Sequence, residues 1–387
     1  MAFALLALLL AGCASSEPQR PERLPAGGPG GVVRIGLARV LWPLDPTHAE
    51  GRDEVTLARA LFATPLRTDP ATGALRPGLC SAWHGNGRTW RLRCRHSGAI
   101  AAQLRRATLF PARRIWATDE HTLVISLPAP RAELPYLLTE VAAAPPGVPG
   151  PFRLISASPE RVVAERRGLR LDVRRLEPYK ALRLFRAGKL DEAPVPLGDL
   201  RASKLDPQLA GALRVRRLLA ADVAIFDPAV PREVRRVYDD TADRADYQAL
   251  VPEFEAPPAE DLVHRGPPKA SAAVIALRDA REEIPTLPRV AVRFARPADP
   301  DLAYGVDLLV AAWRDLGLGA VVGGGRDAGF ERLFAPYPRP SALSAAARRR
   351  AVVPIAWAVD ARLVSPRLRG WREDELGSID YTRVSRR

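Results

Sequence analysis

The chain has 387 residues, 47% of them apolar, and a formal net charge of +14, which gives room for two or three domains with a sizeable core. Only Lys180, Lys189, Lys204 and Lys269 among its 58 basic residues are lysines, and 38 residues are proline, a bias that reads as a GC-rich coding sequence. The arginines are scattered along the whole chain, which argues against the single basic patch of a nucleic-acid binder and leaves attraction to anionic lipid headgroups as the milder consequence.

The first element is an uncharged apolar run, Ala2 to Ala11, shorter than the roughly 20 residues a membrane span needs. With small residues just before Cys13 it matches the core of a secretory signal, although the usual Lys or Arg is absent ahead of it. Leu10-Ala11-Gly12-Cys13 resembles a bacterial lipobox. That likeness implies a signal peptide over 1–12, with Cys13 lipidated on sulfur as the new N-terminus. From Cys13 to Gly31, Pro, Gly, Ser, Glu and Arg dominate. Such a stretch cannot bury enough apolar surface to offset its ordering entropy and reads as a tether.

Val32 to Val40 reads as a strand, broken by Leu41 to Pro46. Asp53 to Phe62 has helical spacing, with Val55, Leu57, Ala58 and Leu61 apolar. A turn follows over 68–75, and Trp90 to Cys94 returns as a strand. Gly85, Asn86 and Gly87 form a turn between strand-like flanks, so a hairpin brings Cys80 and Cys94 together. Export places them in an oxidising compartment, and a disulfide is expected. His84 and His96 lie nearby, but the spacing fits no standard zinc pattern, so no metal or other cofactor is expected. The glycine-rich run from Gly317 to Gly329 lacks the Lys-Ser/Thr of a phosphate loop. No serine elbow or paired histidines appear. Catalytic residues are not expected, and the chain does not read as an enzyme.

Several segments, in order, resemble one family. "LDP", then "LFATPLRTDPATGALRPGLCSAWHGNGRTWRLR", "PGPFRLISASPERVVAER", "ALRLFRAGKLDEAPVP", "DPAVPREVRRVYDDTADRADY" and "VVPIAWAVDARLVSPRLRGWREDELGSIDYTRV" are similar to pieces of the bacterial extracellular solute-binding proteins of the peptide and nickel class. Those proteins are capture subunits of ABC importers. The resemblance implies an α/β, two-lobed periplasmic-binding-protein-like fold (type II, cluster C-like) with a small extra subdomain. It places lobe I in 32–50, 149–225 and 352–387, the subdomain in 51–148, and lobe II in 226–351. Only Ala335 to Ala351 separate Phe334 from Val352, where the family is much longer, so lobe II is shortened.

The implied partners are an ABC permease, a small solute such as a short peptide, and the bilayer reached through Cys13, with no nucleic acid. The location is the extracytoplasmic face of the envelope. The other function class is a degenerate relative that serves as an envelope interaction or sensory lipoprotein. The resemblance puts the lobe crossings near Ala224–Pro228 and Pro354–Val359. Phe226, Asp227 and Trp357 sit on them, and Trp42 and Asp45 lie on the loop after the first strand. These five are the candidate ligand contacts. Each also has a plain structural use, core packing for the aromatics and a turn before proline for the aspartates.

Overall fold

The computed structural model describes residues 31–49, 51–69, 74–107, 114–132, 134–143, 145, 147–244, 291–297, 300–324, 327–334, 351–374 and 376–386. Cys13, the leader, the tether up to residue 30 and the interval 335–350 lie outside the described residues.

Strand β1 (Val32–Leu37) is followed by helix α1 (Arg52–Leu61). Acidic Asp53 and Glu54 sit in the helix's first turn, where its dipole favours them, and Glu54 accepts the Gly51 N–H at 2.9 Å. The expected subdomain comes next: hairpin β2 (Leu66–Thr68) and β3 (Leu75–Pro77), then β4 (Cys80–Gly85) and β5 (Thr89–Cys94). Helix α2 (Ser97–Arg106), β6 (Arg114–Ala117), β7 (Thr122–Ser126) and α3 (Leu134–Glu140) complete it. Its own sheet has the order β4-β5-β7-β6. Cys80 and Cys94 are register partners across the hairpin and are joined by a disulfide.

The chain then enters a ten-stranded sheet. Its members in chain order after β1 are β8 (Arg153–Ser158), β9 (Arg161–Arg166), β10 (Leu169–Arg175) and, after α4 (Pro178–Arg186), β11 (Glu192–Pro194). Short helices α5 (Leu200–Leu205) and α6 (Pro207–Ala210) lead into the long β12 (Leu213–Phe226). Helix α7 (Arg232–Asp240), β13 (Ala291–Ala295), α8 (Pro300–Asp315), β14 (Gly319–Val322) and β15 (Ala328–Phe334) precede the long β16 (Val352–Val364). The sheet order is β14-β13-β15-β12-β16-β11-β1-β10-β9-β8. β1 runs parallel to both β10 and β11, whereas β12 and β16 are antiparallel. A final pair, β17 (Leu368–Arg369) and β18 (Ser385–Arg386), closes the chain.

Separate cores define the bodies. Val33, Ile35, Leu37, Leu57, Leu61, Val173 and Tyr381 belong to the first. Leu66, Leu92, Ile100, Ile125 and Leu138 form that of the subdomain. Phe226, Tyr238, Phe294, Trp313 and Phe330 form the core at the far end of the sheet. There Trp313 stacks on Phe294 with centroids 5.1 Å apart and meets Tyr238 edge-on at 5.0 Å, geometries that favour the ring quadrupoles. One expected boundary shifts. Helix α1 falls within the 51–148 expected for the small subdomain, but Val55, Leu57, Ala58 and Leu61 pack in the first core, because its apolar stripe faces β1 and the C-terminal segment. The subdomain core begins only at Leu66. Among the described residues no helix is long and apolar enough to cross a membrane.

Candidate functional site: a charged floor where the lobes cross

β12 and β16 have 14 and 13 residues, and at about 3.3 Å per residue each extends over roughly 45 Å. Their pairing falls into two runs. Leu213–Arg217 faces Val359–Leu363, and Ala221–Ile225 faces Val352–Trp357, with a register shift between them. The first run packs with Leu182, Val195 and Leu209, and the second with the aromatic core. Between them Leu218, Ala220 and Ala358 make a small cluster of their own, which marks the crossing. The expectation of a crossing at Ala224–Pro228 is therefore corrected. β12 does not end at the first lobe but continues as one strand deep into the second.

On one face beneath this crossing lies a buried charge network. Successive same-face residues of β16, Asp360 and Arg362, are joined by Arg362 Nε donating to Asp360 Oδ2 at 2.9 Å. The Arg362 guanidinium, 1% exposed, also donates to Glu192 Oε1 on β11 at 2.9 Å and to Asp53 Oδ1 on α1 at 2.8 Å. Arg52 Nη1 lies 2.6 Å from Asp360 Oδ1. Trp371 Nε1 and the Tyr381 hydroxyl donate to Glu192 at 2.8 and 3.1 Å. Each arginine proton and carboxylate lone pair used here offsets part of the cost of taking ions out of water.

The network couples to three surrounding segments. Asp53 Oδ2 accepts the Ala38 N–H at 3.0 Å, which anchors the loop after β1. Arg216 on β12, the register partner of Asp360, donates to the Glu373 carbonyl. The loop after Glu373 turns back through Gly377, at φ +83, where an added Cβ would lie 2.4 Å from Arg52 Cδ and 3.3 Å from the Leu218 side chain. Only glycine lets the backbone press on the crossing so closely. The Glu373 carboxyl is buried beside the Asp360 carboxylate, whose charge opposes its ionisation. Burial, then the Asp360 charge, pushes Glu373 up to about 10. Burial also acts to raise Asp360, but Arg52 and Arg362 overcome it and hold Asp360 far below the usual carboxylate range. Glu373 therefore favours its neutral form and Asp360 its ionised form. Burial raises Glu192 above its ordinary value despite Arg362.

The structure scatters the expected ligand contacts. Trp357 lies at the crossing opposite Ala221, but it is 5% exposed, and the exposed Arg217 guanidinium sits over its ring at 5.9 Å. Trp42 is 49% exposed and precedes a cis peptide to Pro43. Asp45 caps the 3-10 turn Pro46–His48, accepting from Thr47 N at 3.0 Å and Thr47 Oγ1 at 2.7 Å. It also pairs with Arg106 of α2, so it ties this loop to the subdomain. Burial opposes ionisation of Asp45, yet the Thr47 hydrogen bonds and Arg106 hold it below the ordinary value.

Phe226 is corrected: it is 2% exposed and packs against Tyr238 and Phe294 at 5.7 and 5.8 Å. Six positions beyond Ala220, it lies roughly 20 Å along the strand from the crossing. Asp227, next to it, accepts the Ala229 N–H at 2.8 Å and serves the turn. Sequence reasoning missed Arg52, Asp53, Glu192, Asp360, Arg362 and Glu373. A signal was present in "VVPIAWAVDARLV", two opposite charges at alternate positions of an otherwise apolar strand. Among the described residues no group of three His, Cys, Asp or Glu side chains could hold a metal ion.

No protein-family model matches the chain, and no curated protein matches it by sequence. Solved structures do match its shape over nearly its whole length. The Haemophilus influenzae OppA complex with the peptide RPPGFSPFR aligns at TM-score 0.71 and 16% identity, covering 93% of this chain and 99% of that one. The Escherichia coli murein tripeptide binding protein MppA aligns at 0.71 and 15%, covering 93% and 99%. The substrate-binding domain of an oligopeptide ABC transporter from Bacillus anthracis aligns at 0.69 and 11%, covering 92% and 98%. The chain thus has the two-lobed α/β fold shared by these solved structures.

Proposed function

We propose that this chain is the lipid-anchored solute-binding subunit of an ABC importer. It captures a short peptide or similar small solute at the lobe crossing and passes it to a permease on the extracytoplasmic face of the membrane. The reading is one of binding, with no covalent step and no cofactor. The observation that carries it is the pair of strands, β12 and β16, that run unbroken through two separately cored bodies. Such strands are the place where a rigid-body rotation concentrates its backbone change. A solute that touches both bodies shifts the population toward the closed arrangement. The solved proteins of this fold that bind peptides support the choice of solute.

The shortened second lobe argues for a small ligand. Trp42 and Trp357 are proposed as walls, with Asp45 beside Trp42. The test is a thermal-shift screen of di- and tripeptides, amino acids, sugars and metal chelates on the chain from Ala14. A ligand that binds only the folded form at 100 times its dissociation constant adds about 2.7 kcal/mol of stability. A reproducible shift that disappears in Trp357→Ala, with cooperative melting retained, supports transport. Silence across the panel in cooperatively melting protein favours the second reading, a degenerate interaction or sensory lipoprotein. That reading has one observation of its own: Asp53, Asp360 and Glu192 on the floor are already engaged by arginine.

A further inference from the structure

The subdomain sheet, in the order β4-β5-β7-β6, packs only one of its faces on the subdomain core. Trp90, Leu92 and Cys94 of β5 and Ile115 of β6 belong to that core. Side chains alternate across a strand, so Arg91, Arg93, Arg114 and Trp116 point the other way, and all four are exposed. Arg91 and Trp116 are both register partners of Val124, on the β7 strand between them, which sets their strands about 10 Å apart. His84 of β4, also exposed, is the register partner of Arg91 on its other side. Arginine is spread along the whole sequence, yet strand alternation and pairing here gather three guanidiniums around one indole.

The charge on this face is not compensated. Strands β4, β5, β6 and β7 contain no Asp or Glu. Among the described residues Arg91, Arg93 and Arg114 form no ion pair. The acidic residues Asp119 and Glu120 sit at the end of the sheet, in the β6–β7 turn, where Asp119 accepts from the His121 N–H at 2.8 Å and the Thr118 hydroxyl at 3.1 Å. Three like charges on one sheet face repel one another, and an anionic partner relieves that repulsion. Four short strands at about 4.8 Å spacing make a face of roughly 300 Å², well below the roughly 800 Å² per side of a stable protein complex. Single-stranded nucleic acid stacks successive bases on several aromatic rings, and this face offers one exposed indole, Trp116. A lipid surface requires neither a large interface nor a stacking platform. Each basic residue near anionic headgroups adds its own attraction, and a half-exposed Trp rests at the headgroup level. We propose that this outer face of the subdomain docks on an anionic phospholipid surface, with Arg91, Arg93 and Arg114 on the headgroup phosphates and Trp116 at the interface. The choice of a membrane rests on the extracytoplasmic location proposed above and is independent of solute capture.

The test uses the chain from Ala14, which keeps every described residue and carries no lipid. Vesicles of phosphatidylglycerol in phosphatidylcholine should sediment the protein, and pure phosphatidylcholine should not. A basic residue at an anionic surface contributes about fivefold in affinity, so Arg91→Ala/Arg93→Ala/Arg114→Ala should weaken binding on the order of a hundredfold. The control Arg201→Ala/Arg232→Ala/Arg367→Ala removes the same charge from exposed positions elsewhere and should cost less than about fivefold. Equal losses would make the attraction a net-charge effect and overturn the face, as would failure of the parent chain to bind. Brominated acyl chains should quench the tryptophan fluorescence of the parent and quench Trp116→Phe clearly less; equal quenching would overturn the docking geometry, and this readout stands even if the triple variant fails to fold. Binding of an oligonucleotide or polyglutamate that is lost in the triple variant, without vesicle binding, would overturn the membrane and assign the face to a soluble polyanion. A silent solute screen beside intact vesicle binding would end the transport reading and keep the face.

Discussion

Replacing Glu373 with glutamine preserves its shape while fixing the group in the uncharged form. In the folded chain burial and the neighbouring Asp360 charge push Glu373 up to about 10, against an ordinary value of 4.5. The native state then holds a proton that the unfolded chain releases anywhere between those values. Because the unfolded state binds fewer protons there, stability falls as pH rises through the window, by about 1.4 kcal/mol per unit for one full proton. Between about pH 5.5 and pH 8 the wild type should therefore lose on the order of 3 kcal/mol that Glu373→Gln does not lose. Asp360 acts with the opposite sign. Its folded value is depressed, so its contribution disappears only on acidification below the ordinary 3.8, outside this range. The assay is urea unfolding of both proteins across the window. A stability difference in favour of the variant that widens with pH supports a neutral Glu373 in the folded chain. A difference that stays flat, or widens in the other direction, would refute it.

Other outcomes are open to measurement. Arg362→Leu leaves Asp53, Glu192 and Asp360 without their common cation and should cost about 3–5 kcal/mol by chemical denaturation; a loss within experimental error would show that the network is dispensable. Non-reducing peptide mapping of envelope-purified protein should recover Cys80 linked to Cys94, and replacing both by alanine should lower stability by roughly 3 kcal/mol. Two free thiols in the purified protein would contradict that link. Wild type should partition with membranes, and Cys13→Ser should release the protein or stall its processing; unchanged fractionation of a correctly processed variant would end the lipid-anchor proposal. Trp313→Ala, deep in the aromatic core, should destabilise by about 3–5 kcal/mol, and a melting curve like that of wild type would mean the core is not packed as described.

Local order was open to reading along the chain because its causes are local. The Gly-Asn-Gly turn set the β4–β5 hairpin, and a one-residue register shift between Cys80 and Ala82 brings Cys80 opposite Cys94. Gly188 and Gly317 follow α4 and α8 and take φ +66 and +82, the left-handed values that end a helix without a Cβ clash. The succession of segments likewise carried the two-lobed architecture. What the sequence could not place is anything that depends on which strands become neighbours. Asp53, Glu192 and Arg362 are separated by as many as 309 positions, yet they meet because β11 inserts between β1 and β16 in the sheet. Phe226 reads as a cleft residue if the lobes cross near Ala224–Pro228. Once the strand continues, hydrophobic burial against Tyr238 and Phe294 decides its role. Backbone propensity and turn chemistry act over a few residues and so are written in the chain. The meeting of charges beneath the crossing follows from strand order, and that is settled only when the whole sheet closes its register.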